Sequence, residues 1–210
     1  MKLLAFLIAI AFPVSAFAAS APSVDRSPRR YEAISSVVFQ YRWLKFSALG
    51  VISVDARKRN FALVGLSQIG INIFELSNKN GVIRSHMPGT LLKRNPRLAT
   101  GAVSDVNNMF LDLAPRPGAK LRDTGALEIF TEQASSGILE YRFDKSTGLL
   151  AEKRFSLPCK FPPGRTVIWV ARYQDYAKQR GWTYANFVSL KNRKLHYAIS
   201  TRVREIRILK

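Results

Sequence analysis

Few residues in this chain have the types and spacing that covalent chemistry requires. The two histidines, His86 and His196, are far apart and have no metal-ligand spacing around them. His196 falls in a strand-like stretch between Leu195 and Tyr197, and a catalytic base needs a positioned partner that these neighbours do not supply. The single cysteine, Cys159, lies in Leu157-Pro158-Cys159-Lys160-Phe161 with no base beside it, so it reads as a small hydrophobe rather than a nucleophile. Glu128, Glu132 and Glu140 could meet across neighbouring strands, but in so basic a chain ion pairing accounts for them first. There is no G-x-S-x-G, no P-loop and no G-x-G-x-x-G. Gly65-Leu66-Ser67-Gln68-Ile69-Gly70 joins two apolar stretches and reads as a hairpin turn, not a phosphate cradle. The residues predict no catalytic group, no metal site and no cofactor.

Charge and export signals bound the alternatives. The chain carries 33 Lys and Arg against 14 Asp and Glu, a net charge of +19. Such a surface attracts polyanions. Met1-Lys2, the apolar run from Leu3 to Val14 and Ala16-Phe17-Ala18 form the pattern of a secretory signal cleaved before Ala19. The run is too short for a spanning helix, which needs roughly 20 apolar residues. The expected organisation is a signal peptide over 1–18, a flexible leader over 19–30 and one domain over 31–210. The expected location is the periplasm. There the abundant polyanions are lipid headgroups, not nucleic acid. Arg57, Lys58 and Arg59, with Lys191, Arg193 and Lys194, are the candidates to meet an anionic membrane surface on one face. One cysteine cannot form an internal disulfide, so packing alone must hold the fold.

The elements that would position any site follow from periodicity. Ser27-Pro28 can cap a helix over about Pro28 to Val38, with Tyr31, Ile34 and Val38 on one face; Val37-Val38-Phe39 suits a strand equally well. From Leu44 to Val54 the period becomes two. Strands are expected over Phe61–Leu66 and Ile71–Leu76, with a tight turn at Asn80-Gly81 and a loop from Arg84 to Arg97. Leu98, Ala102, Val106, Met109 and Leu113 then form one helical stripe, with Asp105, Asn107, Asn108 and Asp112 largely away from it. Strands over Leu127–Thr131, Ile138–Phe143, Leu149–Leu157, Thr166–Tyr173, Trp182–Leu190 and Leu195–Leu209 complete a meander. In the last, the apolar parity switches between Val203 and Ile206, which predicts a bulge near Arg204.

Several strands are apolar on both faces, notably Phe61-Ala62-Leu63-Val64 and Val167-Ile168-Trp169-Val170. A sheet covered on one side alternates cleanly, so these imply burial on both sides, under a helix or around a ligand. A curved sheet with few helices leaves a concave apolar face. Phe46, Leu63, Phe74 and Trp169 of the sheet and Leu98, Val106 and Met109 of the helix are the residues expected to line it.

The order of these elements resembles the bacterial lipoprotein-carrier and outer-membrane receptor superfamily, LolA and LolB. The stretch Phe46-Ser47-Ala48-Leu49-Gly50-Val51-Ile52-Ser53-Val54-Asp55, continued by Phe61 to Leu76, resembles an uncharacterised branch often encoded beside lipid or aryl-polyene export systems. Members of that branch are often lipoproteins; this chain lacks the lipid-bearing cysteine near its cleavage site. The resemblance implies a mainly β (α+β) fold: a strongly curved antiparallel sheet forming an incomplete barrel, with one or two helices covering its concave side. It implies a non-enzymatic carrier of the acyl chains of a lipid or lipoprotein, with an envelope export or receptor protein as partner. Arg42 is nearest in position to the family's lid-closing arginine, but its neighbours do not match and the role is not carried over. A basic scaffold module of an envelope assembly and an envelope enzyme remain the alternatives.

Overall fold

The computed structural model describes residues 27–86, 96–159 and 163–209, and the side chains of 96–99 lie outside that set. The expected signal peptide, the leader up to residue 26 and the Pro88-Gly89 loop also fall outside it. The described strands are β1 (Arg30–Tyr41), β2 (Leu44–Asp55), β3 (Asn60–Leu66), β4 (Asn72–Lys79) and β5 (Val82–His86), then β6 (Lys120–Asp123), β7 (Leu127–Gln133), β8 (Ile138–Asp144) and β9 (Leu150–Cys159), and last β10 (Gly164–Gln179), β11 (Trp182–Asn192) and β12 (Tyr197–Ile208). One helix, α1 (Pro96–Phe110), separates β5 from β6.

All twelve strands form one antiparallel sheet in the order β5-β4-β3-β2-β1-β12-β11-β10-β9-β8-β7-β6. First and last strands pair at its centre, Tyr31 opposite Ile208 and Tyr41 opposite Tyr197. The two edges, β5 and β6, do not pair with each other among the described residues. The crossover that carries α1 joins these two edges. The architecture is therefore an incomplete barrel with a helix on its concave side.

Three expectations need correction. The helix over Pro28 to Val38 is strand β1, hydrogen-bonded to β2 on one side and β12 on the other. The β-branched Ile34, Val37 and Val38 suit a pleated sheet, and pairing on both edges outweighs the local spacing. The loop expected from Arg84 begins as β5, and β6 was not foreseen. Both edge strands are short and exposed along their whole length, so neither shows the alternation that marks a strand. Short, charged edges also discourage pairing with a second molecule. Third, α1 ends at Phe110, before Leu113. The bulge near Arg204 is present: Ile34 faces Glu205 but Ser35 faces Val203, leaving Arg204 without an opposite number.

The interior divides into two clusters. One gathers Val54, Phe61, Phe74 and Leu76 of β2–β4 under Ala102, Val103 and Val106 of α1. The other packs Phe130, Tyr141, Phe143, Trp169, Tyr173 and Leu190 of β7–β11 with Met109.

Candidate functional site

An apolar cavity of about 240 Å³ lies between α1 and the concave face of the sheet. It is a little smaller than ordinary ligand pockets, which run about 300–1,000 Å³. Phe39, Phe46, Ile52, Leu63 and Phe74 form the sheet wall, and Ala102, Val106, Met109 and Phe110 form the helix wall. Ser35, Thr201 and Tyr197 supply the few polar side chains.

Local chemistry shapes this space. Gly50 of β2 faces Gly65 of β3. A Cβ on Gly65 would come within 2.1 Å of the Phe74 ring, and one on Gly50 within 2.5 Å of Val37. Gly65 lets the Phe74 ring pack close against the backbone of β3, and Gly50 leaves room for Val37. Phe39 and Phe46, opposite each other across β1 and β2, have ring centroids 5.1 Å apart.

Of the residues expected to line a ligand site, Phe46, Leu63, Phe74, Val106 and Met109 meet at this cavity. Leu98 lies in α1, but its side chain is outside the described set. Trp169 lies apart, buried in the second cluster with its ring stacked on Phe155 at 6.2 Å.

Sequence reasoning missed the buried polar groups that hold the helix. Asp105, placed off the apolar stripe by spacing, is 2% exposed. It sits one residue before Val106 and three after Ala102, on the flank that faces β11 and β12. Its carboxylate accepts from Asn192 Nδ2 at 2.8 Å and from the Tyr197 hydroxyl. Burial pushes this carboxyl above the ordinary range, opposed by those hydrogen bonds. Lys153 of β9 is fully buried. Its ammonium donates to the carbonyls of Asn108 at 3.2 Å and Asp112 at 2.6 Å, beside the rings of Tyr141 and Trp169. A cation at the C-terminal end of a helix meets orphan carbonyls and the negative pole of the macrodipole. Burial nevertheless lowers its pKa to about 8. The Tyr173 hydroxyl also donates to Asn108 O, at 3.2 Å. From the other half of the sheet, Arg59 forms a two-pronged ion pair with Asp112, both distances 2.8 Å. The last turn of α1 and the residues just past it are thus held from both sides.

The expected basic face is not one face. Arg57, Lys58 and Arg59 occupy the β2–β3 turn beside the start of β1, where Ala56 N donates to Arg29 O. Lys191, Arg193 and Lys194 flank the β11–β12 turn at the other end of β1, where Arg42 N donates to His196 O. At about 3.3 Å per residue, the 12 residues of β1 separate them by roughly 35–40 Å. Antiparallel connections alternate between the two ends, and this parity parts the clusters. Arg59 is also committed to Asp112. Toward the end that carries Lys191 and Arg193 stand the most exposed large apolar side chains among the described residues, Trp43 at 89% and Ile69 at 81%. They stand in the β1–β2 and β3–β4 turns, which point toward the same end. The cavity lies toward that end too, since Phe39, Phe46 and Ile73 are close to those turns.

The groups with chemical potential are dispersed. His86 is exposed on β5, and His196 is exposed in a turn with φ 58°. Cys159 is the half-buried last residue of β9. Glu140 is bound by Arg142, Arg154 and Arg165 on the outer face, as expected of ion pairing. Glu132 accepts from Arg116 N. Arg42, in the β1–β2 turn, lies over the Tyr41 ring at 5.5 Å. Among the described residues no three His, Cys, Asp or Glu side chains gather closely enough to hold a metal ion.

The open antiparallel sheet with a helix on its concave side is a LolA-like fold. A LolA superfamily protein from Nitrosomonas europaea superposes with a TM-score of 0.55 at 8% identity, over 88% of this chain and 89% of that one. A domain assigned to outer membrane lipoprotein sorting, from Vibrio parahaemolyticus, gives 0.51 at 9% identity, with 86% of each chain covered. A DUF1329 family protein from Desulfovibrio piger gives 0.53 at 7% identity, again over 86% of each. No family model matches the sequence, and no curated protein matches it.

Proposed function

We propose that the protein is an exported, periplasmic carrier that shelters acyl chains of a lipid or lipoprotein in the cavity under α1. It would deliver them within the cell envelope without covalent chemistry. The observation that carries this reading is the cavity itself: about 240 Å³ of space whose walls are almost wholly aliphatic and aromatic, beneath a helix that joins the two free edges of the sheet. Each methylene moved from water into such a space contributes about 0.8 kcal/mol, so even part of an acyl chain binds usefully. Release requires an acceptor, such as an envelope export or receptor protein, that binds the chain better or favours an opened state.

The end of the sheet nearest the cavity supports loading at a membrane. Trp43, Ile69 and Ile71 are exposed toward that end, as are Lys191, Arg193 and Lys194. Aromatic and apolar side chains at such a rim can enter the headgroup region while cations meet anionic lipid. Native mass spectrometry of protein purified from the cell envelope tests the proposal. Co-purified lipid or acylated protein is expected. A chain with no adduct under conditions that preserve a known lipid carrier overturns it and favours a basic scaffold module.

A further inference from the structure

A second, smaller apolar cavity of about 70 Å³ lies under the C-terminal end of α1. Its walls include Tyr31, Leu113, Leu150, Tyr176 and Ala185, toward the end of the sheet away from Trp43. Two side chains line both cavities: Met109 and Phe110. They are also the joint between the two core clusters. Met109 is 1% exposed in the cluster of β7–β11, and Phe110 packs against both clusters.

We infer that the smaller cavity is the subsite for the far end of a long acyl chain, and that Met109 sets the chain length the protein accepts. This rests on the carrier reading above. A chain entering the larger cavity from the Trp43 end runs along α1 and meets Met109. A methionine side chain has three rotatable bonds and no branching, so it can swing aside at little cost. The helix backbone is far less free to do so. The Asn108 carbonyl, next to Met109, is held by Lys153 and Tyr173, and Asp112 is held by Lys153 and Arg59. The passage between the cavities therefore opens by a side-chain movement at a fixed helix turn. Beyond it the wall suits a hydrocarbon end. The Tyr173 and Tyr176 hydroxyls are committed to the carbonyls of Asn108 and Leu150, leaving their rings toward the space.

The test is isothermal titration of lysophosphatidylglycerols that differ only in acyl length. In the wild type, affinity rises about four-fold per added methylene, the equivalent of about 0.8 kcal/mol, until the chain reaches the end of its channel. Beyond that length it levels off. Met109→Ala widens the passage and moves the plateau to longer chains or steepens the approach to it. Met109→Trp closes the passage and moves the plateau to shorter chains. Ala185→Phe fills the smaller cavity without touching Met109, and gives the same short plateau even if Met109→Trp does not fold. The same plateau length in the wild type and all folded variants overturns the inference while leaving the carrier reading intact. No binding of any chain by the wild type overturns both.

Discussion

The two halves of one sheet are built differently. On the β2–β4 side the concave face carries Ala48, Gly50 and Ile52 with the rings of Phe46, Phe61 and Phe74, and a cavity remains under the helix. On the β7–β11 side Phe130, Tyr141, Phe143, Trp169 and Tyr173 fill most of the space, leaving the smaller cavity, and Lys153 reaches through them to the helix end. Lys153 from the packed half and Arg59 from the other hold the end of α1, which allows the β2–β4 half to stay open without collapse. A void persists in a protein interior only where the surrounding elements are held apart.

The largest effect should come from placing a charge where the halves meet the helix. Val106 is 2% exposed and lines the cavity. Val106→Asp should cost more than about 3 kcal/mol, because the carboxylate is desolvated without a partner. Urea unfolding measures it. A loss below about 1 kcal/mol, together with abolished acyl binding, would show that water or ligand normally fills the space there.

Leucine truncation sharpens the contrast. Leu190 is 1% exposed in the packed half, and Leu190→Ala should cost about 2–5 kcal/mol. Leu63 borders the existing cavity, so Leu63→Ala only enlarges a void and should cost about 1 kcal/mol while altering the preferred ligand. Equal losses in thermal or urea unfolding would mean that both halves are packed alike.

The buried ammonium gives the packed half a pH signature. Below about pH 8 Lys153 is charged in both the folded and unfolded protein. Between about 8 and its ordinary 10.5 the folded protein has lost that proton and the unfolded chain still binds it. Stability therefore rises with pH, by roughly 2 kcal/mol before the tyrosine range begins. From pH 10.0 upward the sign reverses: burial holds Tyr31, Tyr141 and Tyr176 protonated in the fold while the unfolded chain ionises. The urea midpoint should thus climb from pH 8 to about pH 10 and then fall. Lys153→Met should remove the climb and keep the fall.

The smallest change in stability should accompany a clear change in surface binding. Trp43 and Ile69 are exposed, so Trp43→Ala and Ile69→Ser should alter folding by less than about 0.5 kcal/mol. Both should weaken co-sedimentation with anionic vesicles. Salt should weaken it further, because the attraction fades beyond a Debye length. Substitution of Arg57 and Lys58, at the far end of the sheet, should have less effect. Equal binding to neutral and anionic vesicles would leave the net charge as a solubility feature.

Much of this was legible in the chain. The apolar runs of β2–β4 and β7–β12, the stripe Ala102-Val106-Met109 and the parity switch at Arg204 are local signals, written into side-chain order by the geometry of strand and helix. They determined a mainly β fold with one or two covering helices and named five residues of the cavity wall. The tertiary structure alone decided the rest. It turned Pro28–Val38 into a central strand, because only pairing with both β2 and β12 satisfies that backbone. It buried Asp105 and Lys153, whose partners Tyr197 and Asp112 lie far away in sequence. It parted the two basic clusters and separated Trp169 from the cavity, since which end or half of a sheet a residue occupies depends on strand order, and strand order is set by long-range pairing that no local period records.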